Sequence, residues 1–146
     1  MSIVCPTVLA ENLHTYREQV QRILPFASRV QIDLTDGSFT PTPTINLNQI
    51  WLPHEFKIDL HLMYRRPMEH LKRLVEIKPH MAIIHAEAQV DHMHFAAEMH
   101  KADILVGLSV LQDTPIEKVE QIISSFDHLL IFSGYLGHFG GAADLG

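Results

Sequence analysis

Residues 57–63 read Lys57-Ile58-Asp59-Leu60-His61-Leu62-Met63, and this stretch decides the fold. Side chains alternate between the two faces of a β-strand, so Ile58, Leu60 and Leu62 share one face. Asp59, His61 and Met63 share the other face. A strand with one wholly apolar face and polar groups towards its carboxyl end is typical of a sheet covered by helices, with its chemistry at the strand ends.

Five further runs of this kind occur along the chain. The predicted strands are Ile3–Val8, Arg29–Asp33, Phe56–Met63, Met81–His85, Ile104–Val110 and Leu129–Ser133. Between them lie segments of helical period at 13–24, at 71–78 after Pro67, at 90–101 and at 116–126. For the last of these helices we predict Thr114 as the N-cap and Pro115 as the first helical residue.

Strands that alternate with helices of 10–15 residues predict a parallel α/β sheet, which is either an open doubly wound sheet or a barrel. Open sheets that bind nucleotides usually have a glycine-rich turn after the first strand. Here that turn, residues 7–12, contains no glycine. We therefore predict a single TIM-barrel-like domain over residues 1–146. A complete barrel has typically ~250 residues, so we expect about six of its eight βα units.

Polar residues lie at the carboxyl ends of three consecutive predicted strands. Gln31 and Asp33 share a face of the second strand, His61 lies on the third, and His85 and Glu87 end the fourth. In a barrel these groups converge at one end of the inner face. Other interpretations remain for each: a turn cap for Asp33, a core histidine for His61 and a local hydrogen-bonded pair for His85 and Glu87.

Composition excludes several classes of function. The net charge of −6 and the lack of a basic cluster argue against nucleic-acid binding. The apolar runs are too short to span a bilayer, so no membrane partner is expected. One cysteine, Cys5, cannot form an internal disulfide, and this favours the cytoplasm. Eleven histidines are spread along the chain, and only His92 and His94 are close enough to suggest a metal-binding pair.

Four segments, in order, resemble the ribulose-phosphate 3-epimerase family of phosphate-binding barrels. They are residues 5–10 (Cys-Pro-Thr-Val-Leu-Ala), 31–39 (Gln-Ile-Asp-Leu-Thr-Asp-Gly-Ser-Phe), 59–63 (Asp-Leu-His-Leu-Met) and 139–141 (Phe-Gly-Gly). The resemblance implies an isomerase of carbohydrate metabolism that acts on a ketopentose phosphate. In that chemistry a divalent metal (Zn, Fe, Mn or Co) stabilises the enediolate, while two aspartates exchange protons on opposite faces of one carbon.

The resemblance also implies roles for individual residues. Asp33 falls on the catalytic, metal-binding aspartate and His61 on a histidine metal ligand. Gln31 stands where the family has a second histidine ligand, and an amide is a weaker ligand, so we expect the metal to be weakly bound or lost. The implied substrate-binding residues are Thr7, Met63, Gly140 and Gly141. The second aspartate and the rest of the phosphate site fall in the strands that we count as missing.

Two functions from different classes follow. The first is an epimerase-like isomerase, and the second is a catalytically impaired barrel protein that binds a phosphorylated sugar or serves as an interaction module. Related sugar-phosphate decarboxylases and aldolases use an Asp-x-Lys pair on the third strand, where this chain has Asp59 and His61. The missing lysine argues against a function of that kind.

A curved sheet with open strand edges also recruits another chain unless the edges are covered, so we expect a homo-oligomer.

Overall fold

The computed structural model describes residues 4–136. Its strands are β1 (Thr7–Leu9), β2 (Arg29–Thr35), β3 (Lys57–Met63), β4 (Met81–His85), β5 (Leu105–Leu111) and β6 (His128–Phe132). Its α-helices are α1 (Leu13–Ile23), α2 (Leu71–Ile77), α3 (His92–Lys101) and α4 (Ile116–Glu120). A 3₁₀ turn at Pro67–His70 leads into α2.

Within residues 4–136 the six strands form one parallel sheet in the order β1-β2-β3-β4-β5-β6. Each strand therefore lies beside the next one in the sequence. An open doubly wound sheet would instead reverse its strand order at a switch point. The sheet is curled into part of a barrel, so the prediction of a TIM-barrel-like array with about six units is confirmed.

The outer face of the sheet is the apolar face and carries the main core. Val30, Ile32, Leu60, Ile84 and Val106 are all at most 1% exposed. The helices pack on this face through a second set of buried residues, which comprises Tyr16, Val20, Leu74, Phe95, Ala96 and Met99. Burial of this apolar surface supplies the main driving force for folding. It also fixes which residues of each strand must face inwards.

Helix ends follow local hydrogen-bonding chemistry, with one exception to our predictions. Asn12 caps α1 by accepting the amide N–H of Thr15, and Asp91 caps α3 by accepting that of His94. The predicted cap of α4 by Thr114 is wrong. Pro115 occupies the N-cap position, and its ring has no group that could cap the helix by a hydrogen bond, whereas the Thr114 hydroxyl donates to Glu87.

No helix within the described part of the chain is long and apolar enough to cross a membrane. β4 has the predicted bounds, and β5 and β6 are each displaced by one residue from the predicted strands. β3 begins one residue later than predicted, β1 ends one residue later and β2 ends two residues later. The predicted start of β1 at Ile3 lies outside the described residues.

Candidate functional site

The site lies on the inner face of the sheet, where polar side chains from three adjacent strands meet. Asp33 on β2 is paired in register with His61 on β3. His61 is paired with Ile83 on β4, so His85 lies one inward position farther along that strand. The strand ends thus bring Asp33, His61 and His85 together, as the sequence pattern predicts.

A continuous chain of hydrogen bonds joins two carboxylates through these histidines. Nδ1 of His61 lies 3.1 Å from Oδ1 of Asp33, and its Nε2 lies 2.8 Å from Nε2 of His85. Nδ1 of His85 in turn lies 3.2 Å from Oε2 of Glu87. The two imidazoles are buried, at 1% and 0% exposure, so each ring nitrogen depends on its protein partner. We call this chain of four side chains the Asp–His–His–Glu relay.

Glu87 is fixed at one end of the relay by groups that follow β5. Its Oε1 accepts the backbone N–H of Leu111 at 3.2 Å and the hydroxyl of Thr114. Partial burial alone raises the pKa of Glu87, but the hydrogen bonds from His85, Thr114 and Leu111 outweigh it and hold the pKa at about 2. Glu87 is therefore an ionised, acceptor-only carboxylate at neutral pH.

Aromatic rings shield the two histidines. The ring of Phe39 lies 4.9 Å from that of His85, and the ring of Phe132 lies 5.9 Å from each imidazole. Burial lowers the pKa of His85, with a further decrease from nearby His61 that Glu87 partly offsets. The hydroxyl of Ser109, which is paired in register with His85, is buried without a hydrogen-bond partner within residues 4–136.

At the Asp33 end of the relay, three side chains could act as ligands of a divalent metal. Among residues 4–136, no three or more His, Cys, Asp or Glu side chains are arranged to hold a metal ion. However, Oδ1 of Asp33 lies 3.1 Å from Nδ1 of His61 and 2.8 Å from the side-chain amide of Gln31. Adjacent ligands of a six-coordinate ion with ~2.1 Å bonds lie about 3 Å apart. The distances from Asp33 to His61 and to Gln31 are therefore compatible with neighbouring ligands of a divalent ion, provided that Gln31 turns its amide oxygen towards the ion.

This donor set is weaker than one with a second histidine. It consists of one carboxylate, one imidazole and one amide, and an amide oxygen attracts Zn²⁺, Fe²⁺ or Co²⁺ less than an imidazole does. The imidazole nitrogen that binds a metal must also be free of its proton.

The other predicted site residues lie on β1, at the end of β3 and outside the described residues. Thr7 is exposed on β1 beside Gln31, and Met63 is buried at the end of β3 beside Thr35. Thr35 donates its hydroxyl to the carbonyl of Thr42 and so serves the loop after β2. The predicted phosphate-binding residues Gly140 and Gly141 lie outside the described residues.

Several alternative interpretations from the sequence are also settled by the geometry. The turn after β2 is capped by Asp36, which accepts the amides of Ser38 and Phe39, whereas Asp33 belongs to the relay. His85 and Glu87 do form a local pair, but the pair continues into His61. Nε2 of His92 donates a hydrogen bond to the carbonyl oxygen of His85 and therefore supports the strand end.

Sequence reasoning did not identify Thr114 and Phe132 as part of this region. Thr114 had a plausible local role as a helix cap, and Phe132 looked like an ordinary strand residue. The sequence pattern included the His85-x-Glu87 pair at a strand end, but it contains no signal that links Thr114 or Phe132 to this pair.

Comparison with known proteins agrees with this geometry. Residues 3–143 match the Ribulose-phosphate 3 epimerase family. Over 144 residues the chain is 28% identical to the ribulose-phosphate 3-epimerase of Mycobacterium leprae, covering 97% of this chain and 63% of that protein. It is 24% identical over 137 residues to the corresponding enzyme of Schizosaccharomyces pombe, covering 89% of this chain and 60% of that protein.

The chain thus spans about three-fifths of the length of these relatives. The match nevertheless covers nearly all of its own residues, including both strands that carry Gln31, Asp33 and His61. With a parallel, barrel-like sheet and a polar cluster at its strand ends, this chain belongs to the ribulose-phosphate 3-epimerase family.

Proposed function

We propose that this chain carries the proton-abstracting site of an epimerase-like isomerase that acts on a phosphorylated ketopentose. The observation that carries the proposal is the convergence of Asp33, His61 and Gln31 on the inner face, with contacts of 2.8 and 3.1 Å. Phe39 and Phe132 flank the adjoining imidazoles and limit the access of water. A partly dry site of this kind strengthens every electrostatic interaction within it.

The chemistry would be removal of a proton from the carbon beside the ketone. Asp33 accepts the proton as the C–H bond breaks, and the electron pair of that bond moves into an enediolate. A divalent cation held by Asp33, His61 and Gln31 would supply positive charge beside the developing oxyanion. Thr7, Met63 and the glycines Gly140 and Gly141 would bind the substrate, the glycines through backbone N–H groups at the phosphate.

The test is deuterium incorporation at C3 of ribulose 5-phosphate in D₂O with added Zn²⁺, Mn²⁺ or Co²⁺, followed by NMR. Asp33→Asn should lower the exchange rate by ~10²–10⁴-fold, because removal of a general base typically costs this much. Asp103→Asn removes an exposed carboxylate that precedes β5, at the opposite end of the strands, and should leave the rate unchanged. Exchange that persists in Asp33→Asn would overturn the proposal.

In this chain we expect deuterium exchange at C3 and inversion at C3 to proceed at different rates. If water returns the proton in place of a second aspartate, deuterium should enter faster than the C3 epimer accumulates.

The amide at position 31 favours a second candidate function, in which the protein binds a phosphorylated sugar without turning it over or serves as an interaction module. Calorimetric binding of ribulose 5-phosphate with no deuterium incorporation would support that candidate instead.

We also propose that the chain is one cytoplasmic domain that forms a homo-oligomer and binds neither nucleic acid nor membranes. The net charge of −6 and the single cysteine support the location and the absence of these partners. Support for the oligomer comes from the edge strand β6, where Ile131 is 66% exposed near Ile116, which is 67% exposed. Light scattering on dilute protein tests this, and a well-folded monomer would contradict it.

A further inference from the structure

The turn that follows β2, residues 36–39, lies against the imidazole pair of the site. The ring of Phe39 lies 4.9 Å from that of His85, and the two planes make an angle of 48°. Gly37 allows the turn its shape, because its φ of 73° lies in a region that other residues rarely adopt. Whatever holds this turn in place therefore also determines the position of the Phe39 ring.

The carboxylate of Asp36 holds the turn with both of its oxygens. Oδ1 accepts the backbone N–H groups of Ser38 and Phe39, each at 2.8 Å, and Oδ2 accepts the N–H of Arg65 at 2.7 Å. Partial burial raises the pKa of Asp36, but these backbone hydrogen bonds outweigh it and lower the pKa. Asp36 is therefore ionised at neutral pH, and it both shapes the turn and ties it to the segment after β3.

Arg65 makes a second contact with the turn through its side chain. Its Nη2 donates to the carbonyl oxygen of Ser38 at 2.7 Å. The carbonyl of Arg65 in turn accepts the backbone N–H of Gln89 at 2.7 Å, beyond the end of β4. Arg65 thus joins the segments that follow β2, β3 and β4. Its guanidinium stays charged at every pH that proteins normally meet, so this contact does not depend on protonation.

These two side chains are exposed, so their effect is on the local position of the turn rather than on the packed core. We infer that Asp36 and Arg65 are positioning residues that hold the ring of Phe39 against His85 and so close this side of the site to water. The inference rests on the proposed function for its consequence in catalysis. Its first two tests do not, because the position of the turn can be measured in the free protein.

The chain offers closely matched variants for these tests. Arg65→Met removes the guanidinium and keeps an unbranched side chain, whereas Arg65→Lys keeps a charged donor. Arg66→Met removes the same charge from the next residue, whose guanidinium pairs with Glu69 at 3.5 Å, and is the control. Asp36→Asn replaces one acceptor oxygen by an NH₂ group, so at least one of the backbone N–H groups that it binds loses its acceptor.

Amide hydrogen exchange followed by NMR measures how often the turn opens. The N–H groups of Ser38 and Phe39 should exchange about fivefold faster in Arg65→Met, because the net contribution of one hydrogen bond corresponds to a factor of this size. Asp36→Asn should accelerate their exchange further. Arg65→Lys should restore rates near those of the wild type, and Arg66→Met should not change them. The amide of Leu60 should keep its rate in all four variants, which distinguishes local opening from global unfolding.

A ¹⁹F NMR experiment follows the ring itself. In protein labelled with 4-fluorophenylalanine, the signal of Phe39 is identified by its loss in Phe39→Leu. The ring current of His85 shifts this signal while the turn is closed. The signal should therefore move towards the position of an exposed ring in Asp36→Asn, and by a smaller amount in Arg65→Met. It should not move in Arg66→Met.

The C3 exchange assay provides the third readout. In Asp36→Asn we expect kcat to fall while KM changes little, because the turn shields the site of proton removal and is not proposed to bind the phosphate. In an active wild type, a kcat that Asp36→Asn leaves unchanged would overturn the inference.

The first two readouts separate this inference from the proposed function. Equal amide exchange in Arg65→Met and Arg66→Met, or an unmoved signal of Phe39 in Asp36→Asn, would overturn the inference. A wild type that shows no exchange at C3, with the amide and ¹⁹F results as expected, would contradict only the proposed function.

Discussion

Leu60 and His61 are neighbours on β3 and are equally buried, at 0% and 1% exposure, yet they depend on the fold in different ways. Leu60 faces outwards into the apolar core beneath the helices. His61 faces inwards, and both of its ring nitrogens have a polar partner. Burial of Leu60 requires only close packing, whereas burial of His61 requires that its partners be present in a defined order.

This difference separates two kinds of constraint within one strand. An apolar outer position tolerates other apolar residues of similar volume. An inner position of the relay tolerates only a group with the same pattern of donors and acceptors, because an unsatisfied buried polar atom is costly. The outer face therefore determines stability, and the inner face determines which protonation states the folded protein can have.

The largest effect on stability should come from the outer face. Leu60→Ala should lower the free energy of unfolding by about 2–5 kcal/mol, since it removes apolar contacts and leaves a cavity. His61→Leu keeps similar volume but leaves a nitrogen of His85 without a partner, and it should cost about 1–3 kcal/mol. Urea unfolding of the metal-free proteins measures both. A larger loss for His61→Leu would mean that the relay, rather than the packed face, dominates stability.

Sequence patterns predicted the outer face well, because the alternation of apolar residues in strands and their helical spacing in helices both indicate burial in a single core. β4 has the predicted bounds, and β3 differs only at its first residue. The proximity of Asp33 and His61 was also predictable, since adjacent parallel strands align their carboxyl ends. The contact between His61 and His85 was not, because it depends on the register of β3 and β4, in which His61 is opposite Ile83.

The contribution of Thr114 was hidden for a different physical reason. Its hydroxyl had a local alternative, the cap of α4, and local hydrogen bonds are the ones that a sequence reveals. The structure shows instead a bond to Glu87, 27 residues away. Prediction from sequence therefore succeeded for groups whose partners are set by strand geometry and failed where a long-range partner competed with a local one.

The proposed metal site on the inner face can be tested by placing an imidazole at position 31. Gln31→His should tighten Zn²⁺ binding on the order of tenfold, about 1.4 kcal/mol, because an imidazole is a better ligand than an amide. Gln121→His adds a histidine to an exposed position at the end of α4 and controls for nonspecific binding. Calorimetric titration measures both, and equal tightening in the two variants would show that Gln31 does not belong to the metal site.

The smallest expected effect is a dependence of stability on acid, and it tests whether the inner face contributes through charge. The pKa of Glu87 is about 2 in the folded protein, below its ordinary value of 4.5. A lowered folded-state pKa stabilises the fold above pH 4.5, and this stabilisation is lost as the pH falls from 4.5 towards 2. Because Glu87 is partly exposed, solvent screening limits the contribution to at most about 1 kcal/mol. Urea unfolding at pH 6 and at pH 3 should therefore show a smaller acid-induced loss in the free energy of unfolding for Glu87→Gln than for the wild type.

The lowered pKa values of Asp36 and Asp127 contribute equally to both proteins and cancel in the difference. If the two proteins lose the same stability between these pH values, Glu87 is not held as a carboxylate by the relay, and the inner face depends on shape alone.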